Sequence, residues 1–195
     1  ITGPPGSGRS TAALAFAAAL VCPEGGCGAC GECRAVQHSA HVDVEHVVPE
    51  SVSYSVAETR DLVQRSAMAP SRSPWHVFVL EDADRLNSES ANALLKSIEE
   101  PTPGTVWVLC APSTEDVLAT IRSRCRHVQL STPRTHEVAE SLVTVFGVDP
   151  AMASFAARAA QGHIGRARAL ATSEAARLRR QEVLRIPTQV HDLGS

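Results

Sequence analysis

Hydrophobic and polar positions in the first two thirds of the chain follow a pattern typical of strands separated by helices. Short apolar runs predict buried parallel strands, as in Val77-Phe78-Val79-Leu80, which ends in acidic residues. The predicted strands cover residues 42–48, 77–80, 105–110 and 126–130. Apolar residues at helical spacing predict helices over residues 10–20, 56–68, 88–98 and 115–121, with Ser88 capping the third. This alternation predicts an α/β fold with a parallel sheet.

The strand pattern ends near residues 130–133. Beyond it, Ala- and Arg-rich stretches over residues 135–146, 151–161 and 165–185 predict helices only. We therefore predict an α/β domain over residues 1–132 and a small all-helical domain over residues 133–195. The chain begins with Ile1-Thr2, which look like the end of a strand, so we expect it to be a fragment that lacks an N-terminal segment.

The composition is that of a globular protein, with 44% hydrophobic and 20% charged residues. A formal net charge of -3 argues against a protein that coats nucleic acid through charge alone. No run of eighteen apolar residues is present, so we expect no membrane span. Arginines enrich the last helices, which is more typical of a solvated helix face than of DNA contact. They are Arg166, Arg168, Arg177, Arg179, Arg180 and Arg185.

A glycine-rich stretch precedes the first predicted helix and matches the P-loop pattern GxxxxGK[ST], except that Arg9 stands where Lys is expected. In such a loop, backbone N–H groups surround phosphate oxygens and a hydroxyl such as that of Ser10 binds Mg²⁺. Arginine is a planar fork rather than a point charge, so the loop favours binding of ATP with Mg²⁺ over hydrolysis. The alternative is a turn that only joins a strand to a helix. The candidate nucleotide-binding residues here are Gly3, Gly6, Ser7, Gly8, Arg9 and Ser10.

Glu81 and Asp82 follow the apolar run at residues 77–80 and predict a Walker B segment. The usual order is Asp then Glu, with Asp organising Mg²⁺ and Glu polarising the attacking water. The reversed order changes the length of each carboxylate by one methylene, and a positioning error of that size can cost about 10²-fold in rate. We therefore expect a degenerate nucleotide site, the alternative being a solvated acidic strand end without any metal role.

Four of the six cysteines, Cys22, Cys27, Cys30 and Cys33, lie in a short module at about residues 22–38. Their spacing, C-x₄-C-x₂-C-x₂-C, favours a structural Zn²⁺ held by four thiolates. Two disulfides or an iron–sulfur cluster are the alternatives. The nearby histidines are expected to lie outside the ligand set. They are His38, His41 and His46. Cys110 and Cys125 are expected to be small buried hydrophobic residues.

Ser123-Arg124-Cys125 is the most diagnostic short stretch. It resembles the SRC motif of the bacterial clamp-loader AAA+ family, which comprises the gamma/tau and delta-prime subunits of DNA polymerase III. The cysteine insertion and the run 91–101 resemble further features of the same family. The resemblance covers nearly the whole chain. It implies a RecA-like AAA+ domain with helices on both faces of the sheet, a zinc module and a helical lid, with a C-terminal collar domain absent from this fragment. It also implies that Arg124 acts in trans as an arginine finger.

Within that family the chain is most similar to the delta-prime branch, because Gly165 occupies the sensor-2 position, with Arg166 one residue late, and Ser113 is the only polar sensor-1 candidate. The resemblance implies a cytoplasmic stator that donates Arg124 to a neighbouring gamma/tau ATPase. Its partners would be gamma/tau and delta subunits in a hetero-pentameric ring, and, through the assembly, the sliding clamp and primed DNA. The alternative is an active gamma/tau-like ATPase that hydrolyses ATP itself.

Overall fold

The computed structural model describes residues 1–192, with side chains through residue 186. Three parallel strands form its sheet in the order β1-β2-β3. They are β1 Val44–Val47, β2 His76–Leu80 and β3 Thr105–Leu109. Val44 lies opposite Val77, and Phe78 lies opposite Trp107. The strands predicted over residues 42–48, 77–80 and 105–110 are thus confirmed, with slightly different ends.

Thr2 extends this sheet beyond β3 through two parallel bridges, one to Ala111 and one to Gln129. The Thr2 N–H donates to the Val128 carbonyl at 2.9 Å, and the Leu130 N–H donates to the Thr2 carbonyl at 2.7 Å. The strand predicted over residues 126–130 is therefore reduced to a single bridging residue, because Thr2 is its only pairing partner among the described residues.

Five helices and a 3₁₀ turn at Ala83–Arg85 accompany the sheet. The helices are α1 Arg9–Val21, α2 Gly31–Gln37, α3 Val56–Ser66, α4 Ser88–Glu99 and α5 Ala119–Arg122. Helix α2 was not predicted, since it lies within the cysteine module. The cap predicted for α4 was wrong: the Asn87 side chain, not Ser88, accepts the N–H groups of Glu89 and Ser90. Helix α5 is also shorter than predicted, because residues 115–118 form a turn and a bend instead of helix.

Alternate side chains of β2 point to opposite faces of the sheet, and each face is covered by helices. Val77 and Val79 pack in one core cluster with Ala13 and Ala17 of α1. On the other face, the apolar cluster combines strand residues with residues of α3 and α4. It includes Phe78, Leu80, Leu62, Ala91 and Leu94. The central strand β2 is therefore buried on both faces, which explains its continuous apolar run.

The chain divides into two compact units. The first comprises Ile1–Pro4 and Gly8–Leu130, and the second groups Pro5–Ser7 with the residues from Ser131 onward. The second unit contains α6 Thr135–Phe146, α7 Pro150–Ala160, α8 Ile164–Thr172 and α9 Glu174–Asp192. Its core is rich in alanine, with Val138 and Leu142 fully buried. The single helix predicted over residues 165–185 is two helices, because Ser173 adopts an extended conformation between them.

No helix within the described part of the chain is both long enough and apolar enough to cross a membrane.

Candidate functional site

The start of the glycine loop, the acidic segment after β2 and the segment after β3 lie at the carboxyl ends of neighbouring strands. The Gly3 N–H is 3.3 Å from the Ala111 carbonyl and 3.2 Å from the Pro112 carbonyl. The Ala83 N–H in turn donates to the Cys110 carbonyl at 2.7 Å. Ligands of open parallel sheets bind outside the carboxyl ends of the strands. Gly3 of the predicted loop and the predicted acidic segment therefore lie at the edge of the sheet where such folds hold a ligand.

Two glycines give the loop its conformation. Gly6 and Gly8 have φ of 87° and 90°, which favours glycine over any residue with a Cβ. Gly8 is also the N-cap residue of α1, so the first N–H groups of that helix follow directly. Gly6 has no room for a side chain, because a Cβ there would lie 2.3 Å from Cγ of His163. The hydroxyl of Ser7 is buried and has no hydrogen-bond partner among the described residues.

Arg9 does not extend away from the loop. Its Nη1 donates to the Gly3 carbonyl at 2.7 Å, so the guanidinium is bonded to the loop's own backbone. A lysine at this position would carry a compact charge on a flexible stem. The arginine that replaces the usual lysine therefore binds the backbone of its own loop and stabilises it.

Glu81 is buried, with 8% of its surface exposed, and its Oε1 lies 3.1 Å from Nε2 of His46 on β1. The Tyr54 hydroxyl donates to the backbone carbonyl of Glu81 at 2.6 Å. Asp82, in the left-handed region with φ of 48°, pairs instead with Arg85 at 3.3 Å. Both carboxylates thus have partners within the chain. Sequence reasoning missed His46 as the partner of Glu81, since only the pairing of β1 with β2 brings the two together.

Cys110 lies fully buried beside these residues, as predicted. Burial raises the pKa of its thiol to about 11, and the Glu81 carboxylate adds to that shift. The positive charges of the amino terminus and Arg9 act in the opposite direction and lower this pKa. Charges of the loop and of the acidic segment therefore both lie near the buried Cys110 thiol. Cys125, in contrast, is exposed. The prediction that it is buried was wrong, because the chain enters the sheet only at Gln129.

The four clustered cysteines bring their sulfur atoms within 4.8 Å of one another. Cys22 Sγ lies 3.8 Å from Cys27 Sγ and 3.7 Å from Cys30 Sγ, too far apart for disulfides. Four thiolates around Zn²⁺ at the usual Zn–S distance are separated by about 3.8 Å. The N–H groups of Cys27 and Gly26 lower the pKa of the Cys22 thiol, whereas burial and the neighbouring thiols raise the pKa of Cys33. The cluster therefore has the donors and the spacing to hold a metal such as zinc.

Helix α2 ties this cluster to the rest of the first unit through Glu32. Its carboxylate lies 3.0 Å from Nε2 of the buried His41 and 2.9 Å from Nη2 of Arg72. Nδ1 of His41 accepts the Asp43 N–H at 3.0 Å. The metal-ligand group found in the described residues contains the cysteines alone, so His38, His41 and His46 lie outside it.

Arg124, the predicted finger, follows α5 and has about a third of its side chain exposed. Its Nε lies 2.5 Å from Oε1 of Glu99, the last residue of α4. Its Nη1 donates to the Thr120 carbonyl at 2.8 Å and lies 3.2 Å from the Ser123 hydroxyl. Glu99 belongs to a stretch that carried the family resemblance, but no spacing rule could connect it to Arg124.

The remaining candidates have ordinary local roles in the structure. The Ser113 hydroxyl donates to Asp116 at 2.9 Å, and Arg166 is exposed on α8. Two of the arginines proposed for DNA contact are engaged within the second unit. Arg168 lies over the Phe146 ring at 4.7 Å, and Arg177 donates to the Leu170 carbonyl at 2.9 Å. DNA contact by this group stays a prediction.

A parallel sheet covered by helices on both faces, with a glycine loop opening the first helix, defines an open α/β fold with a sequence like that of a P-loop. The fold is shared with the RuvB Holliday junction branch migration motor of Thermotoga maritima. That match has a TM-score of 0.55 at 18% identity and covers 86% of this chain and 50% of that one.

A family model described as "DNA polymerase III, delta subunit" matches residues 1–134. The delta' subunit of DNA polymerase III from Pseudomonas aeruginosa is 36% identical over 157 residues, covering 77% of this chain and 48% of that protein. The gamma/tau subunit from Mycobacterium bovis is 34% identical over 141 residues, covering 69% of this chain and 24% of that protein. The chain therefore belongs to the delta-prime clamp-loader family of DNA polymerase III. It spans less than half the length of these relatives.

Proposed function

We propose that this chain is the nucleotide-binding core and lid of a clamp-loader subunit that acts as a stator. In this role it lends Arg124 to the ATP site of a neighbouring gamma/tau subunit and hydrolyses little or no ATP itself. The assembly would use the partner's ATP hydrolysis to load the sliding clamp onto primed DNA. The partners would be gamma/tau and delta subunits in a hetero-pentameric ring, as the names of the relatives suggest.

The observation that carries the proposal is the bond between Arg9 and the Gly3 carbonyl. In a working P-loop, the basic residue reaches the β- and γ-phosphates. Here that cation is used within the loop. The contact of Glu81 with His46 supports the same conclusion, because it engages the acid that would organise Mg²⁺. Two separate parts of the site are thus occupied by the chain's own groups.

Arg124 supports the other half of the proposal. An arginine finger places positive charge opposite the γ-phosphate, where negative charge develops during phosphoryl transfer, and can increase the rate by 10³ to 10⁵. The guanidinium of Arg124 is partly exposed, and the contacts of its Nε and Nη1 hold one side of the planar fork. Its geometry is compatible with a donor that reaches out of its own chain to a neighbour.

An active ATPase is the second candidate. The similarity to gamma/tau subunits fits it about as well, and Gly6 and Gly8 retain the backbone conformation of a phosphate loop. The buried Ser7 hydroxyl, which has no partner in the described part of the chain, would gain one from a bound phosphate. In that case Ser10 and Glu81 would hold Mg²⁺, and His46 would have to release Glu81.

We also propose that the cysteine cluster holds a structural zinc ion. Cys22, Cys27, Cys30 and Cys33 would supply all four ligands and leave no open coordination position, which is typical of a structural rather than a catalytic site.

The test is ATP turnover by the reconstituted loader, stimulated by clamp and primed DNA, with Arg124→Ala or Arg9→Ala in the full-length subunit. We expect Arg124→Ala to reduce turnover at the site it serves on the order of 10³-fold. We expect Arg9→Ala to leave turnover within about twofold of wild type, because the proposal assigns no catalysis to the subunit's own loop.

Arg126→Ala is the matched control, since Arg126 is an exposed arginine two residues from Arg124. If Arg124→Ala and Arg126→Ala behave alike, the finger role is wrong. A large loss with Arg9→Ala would establish the active ATPase instead.

A further inference from the structure

The carboxylate of Glu99 lies at the C-terminal end of α4, where it does not stabilise the helix. Glu99 is the last residue of α4, and Glu100 follows as the C-cap residue. The C-terminal end of a helix carries partial negative charge, so acidic residues there are disfavoured and basic ones are preferred. Glu99 is also about half exposed, which makes its ion pair with Arg124 a weak source of stability. Neither the helix nor the stability of the fold accounts for it.

The contact itself indicates what Glu99 does. Glu99 Oε1 meets Nε of Arg124 at 2.5 Å, while the Thr120 carbonyl and the Ser123 hydroxyl meet Nη1. These three contacts hold the guanidinium by its Nε and Nη1 atoms. None of them uses Nη2, so the far end of the fork keeps its donors for a ligand.

A free arginine side chain samples many rotamers, and this freedom must be lost before its fork can meet a phosphate in one orientation. A side chain already held in place loses less on binding, and this is the general advantage of preorganisation. The anchor at Nε is the one that comes from a different helix, since Thr120 and Ser123 are neighbours of Arg124 in the chain. Glu99 therefore fixes the direction in which the Arg124 side chain points.

We propose that Glu99 is the positioning residue of Arg124: it holds the guanidinium ready so that Nη2 can donate to the γ-phosphate in the neighbouring subunit. The inference rests on the proposed function. Glu99 touches no nucleotide, and it acts on the partner's reaction only through Arg124. Because it orients a group that works in the transition state, its loss should lower kcat more than it raises KM.

The experiment compares Glu99→Ala, Glu99→Gln and the control Glu100→Ala in the full-length subunit within the reconstituted loader. Glu100 is an adjacent, exposed acid of the same type whose side chain has no ion pair or hydrogen bond in the part of the chain that carries described side chains. The readout is steady-state ATP hydrolysis. We expect Glu99→Ala to lower kcat about tenfold with KM within about twofold, since a misplaced group can cost up to about 10²-fold. Glu99→Gln should lose only about threefold, because its amide oxygen still accepts from Nε.

A second pair of variants separates positioning from a structural role. In a subunit that already carries Arg124→Ala, adding Glu99→Ala should change kcat by less than about twofold, since the residue has nothing left to orient. A further tenfold loss in that background would overturn the inference, as would equal effects of Glu99→Ala and Glu100→Ala in the wild-type background.

The two proposals fail in different ways. If Arg124→Ala itself has no effect on kcat, the finger role is wrong, and the role of Glu99 is overturned with it. If Arg124→Ala is severe and Glu99→Ala is silent, the finger stands and only the positioning role is overturned.

Discussion

Asp43 has 1% of its surface exposed, yet its carboxylate remains charged because three backbone N–H groups donate to it. Ser71, Arg72 and Ser73 donate at 2.6, 2.8 and 2.7 Å, which closes the loop before β2 around one side chain. Burial alone would raise the pKa of Asp43, but the backbone N–H groups outweigh it and hold the pKa below its ordinary value. A carboxylate in this position therefore depends on its charge.

Asp43→Asn should lower the free energy of unfolding by about 2 kcal/mol at neutral pH, because hydrogen bonds to a charged group are the strong ones. The amide nitrogen that replaces one carboxylate oxygen is itself a donor, and it would face a backbone N–H donor. Urea denaturation measures the change, with Asp61→Asn on the exposed face of α3 as the control.

The charge of Asp43 also makes the stability of the protein depend on pH. The folded-state pKa of Asp43 lies below the ordinary value of 3.8, so its stabilisation is fully present above that value and is lost as the pH falls through the folded-state pKa. The difference in stability between wild type and Asp43→Asn should therefore be constant from pH 7 to about 5 and shrink below about pH 4. A difference that stays constant into acid would show that the charge of Asp43 is not the cause.

Gly6 and Gly8 allow the effect of crowding to be separated from that of backbone strain. Both have φ near +90°, but a Cβ on Gly8 meets nothing within 4 Å, whereas a Cβ on Gly6 would overlap His163. Gly8→Ala should cost about 1 kcal/mol from strain alone. Gly6→Ala should cost about 2 kcal/mol more, because a backbone atom of His163 lies 2.6 Å from the added carbon. Equal losses in urea denaturation would mean that His163 moves aside.

Among the elements, α3 has the most complete local signal. The Ser55 hydroxyl accepts the Glu58 N–H at 3.1 Å, and the Glu58 carboxylate accepts the Ser55 N–H at 2.6 Å, forming a capping box. The side-chain and backbone groups of Ser55 also lower the pKa of Glu58. The start of this helix is thus specified by four consecutive residues.

Ser55→Ala should lower the free energy of unfolding by about 1 kcal/mol, since it leaves the Glu58 N–H without its partner. Ser53→Ala, at a partly exposed serine just before the box, should change it by less than about 0.5 kcal/mol. Thermal denaturation of both variants tests the cap. Similar midpoints would indicate that packing of Leu62 and Thr59 fixes this helix without the cap.

Sequence patterns predicted the strands and helices that have a clear apolar period, because β2 is buried on both faces and α4 on one. They did not predict α2 Gly31–Gln37, since its seven residues are too few for a clear apolar period and follow directly after glycine- and cysteine-rich turns. In the site, the motifs placed the loop, the acids and the cysteines. The partners of these groups, His46 and Glu99, come from tertiary pairing between elements, which no local period encodes.

For the molecule as a whole, the cysteine cluster is part of the main core rather than an appendage. Cys22 and Cys33 are buried with Val36 and Val21 in the apolar cluster that contains Val77 and Val79 of β2.

Purified protein should contain one zinc ion per chain by metal analysis, and a strong chelator should lower the unfolding temperature of the whole first unit. Cys30→Ser should reduce the metal content, and Cys125→Ser, outside the cluster, should not. Iron with inorganic sulfide and visible absorbance would identify an iron–sulfur cluster instead.

The bridges made by Thr2 have a consequence for the order in which the protein folds. Strands β1 to β3 pair with neighbours that are close along the chain, but the Thr2 and His127 side chains meet across a separation of 125 residues. Contacts of such long range form late, since the entropy of closing the loop must be lost first. The segment that leads into the glycine loop is therefore synthesised before the strands it joins and is the last to find its place in the sheet. Until residues 128–130 have been synthesised, the side of the Thr2 segment that faces away from β3 stays unpaired, and during that time it is open to wrong partners.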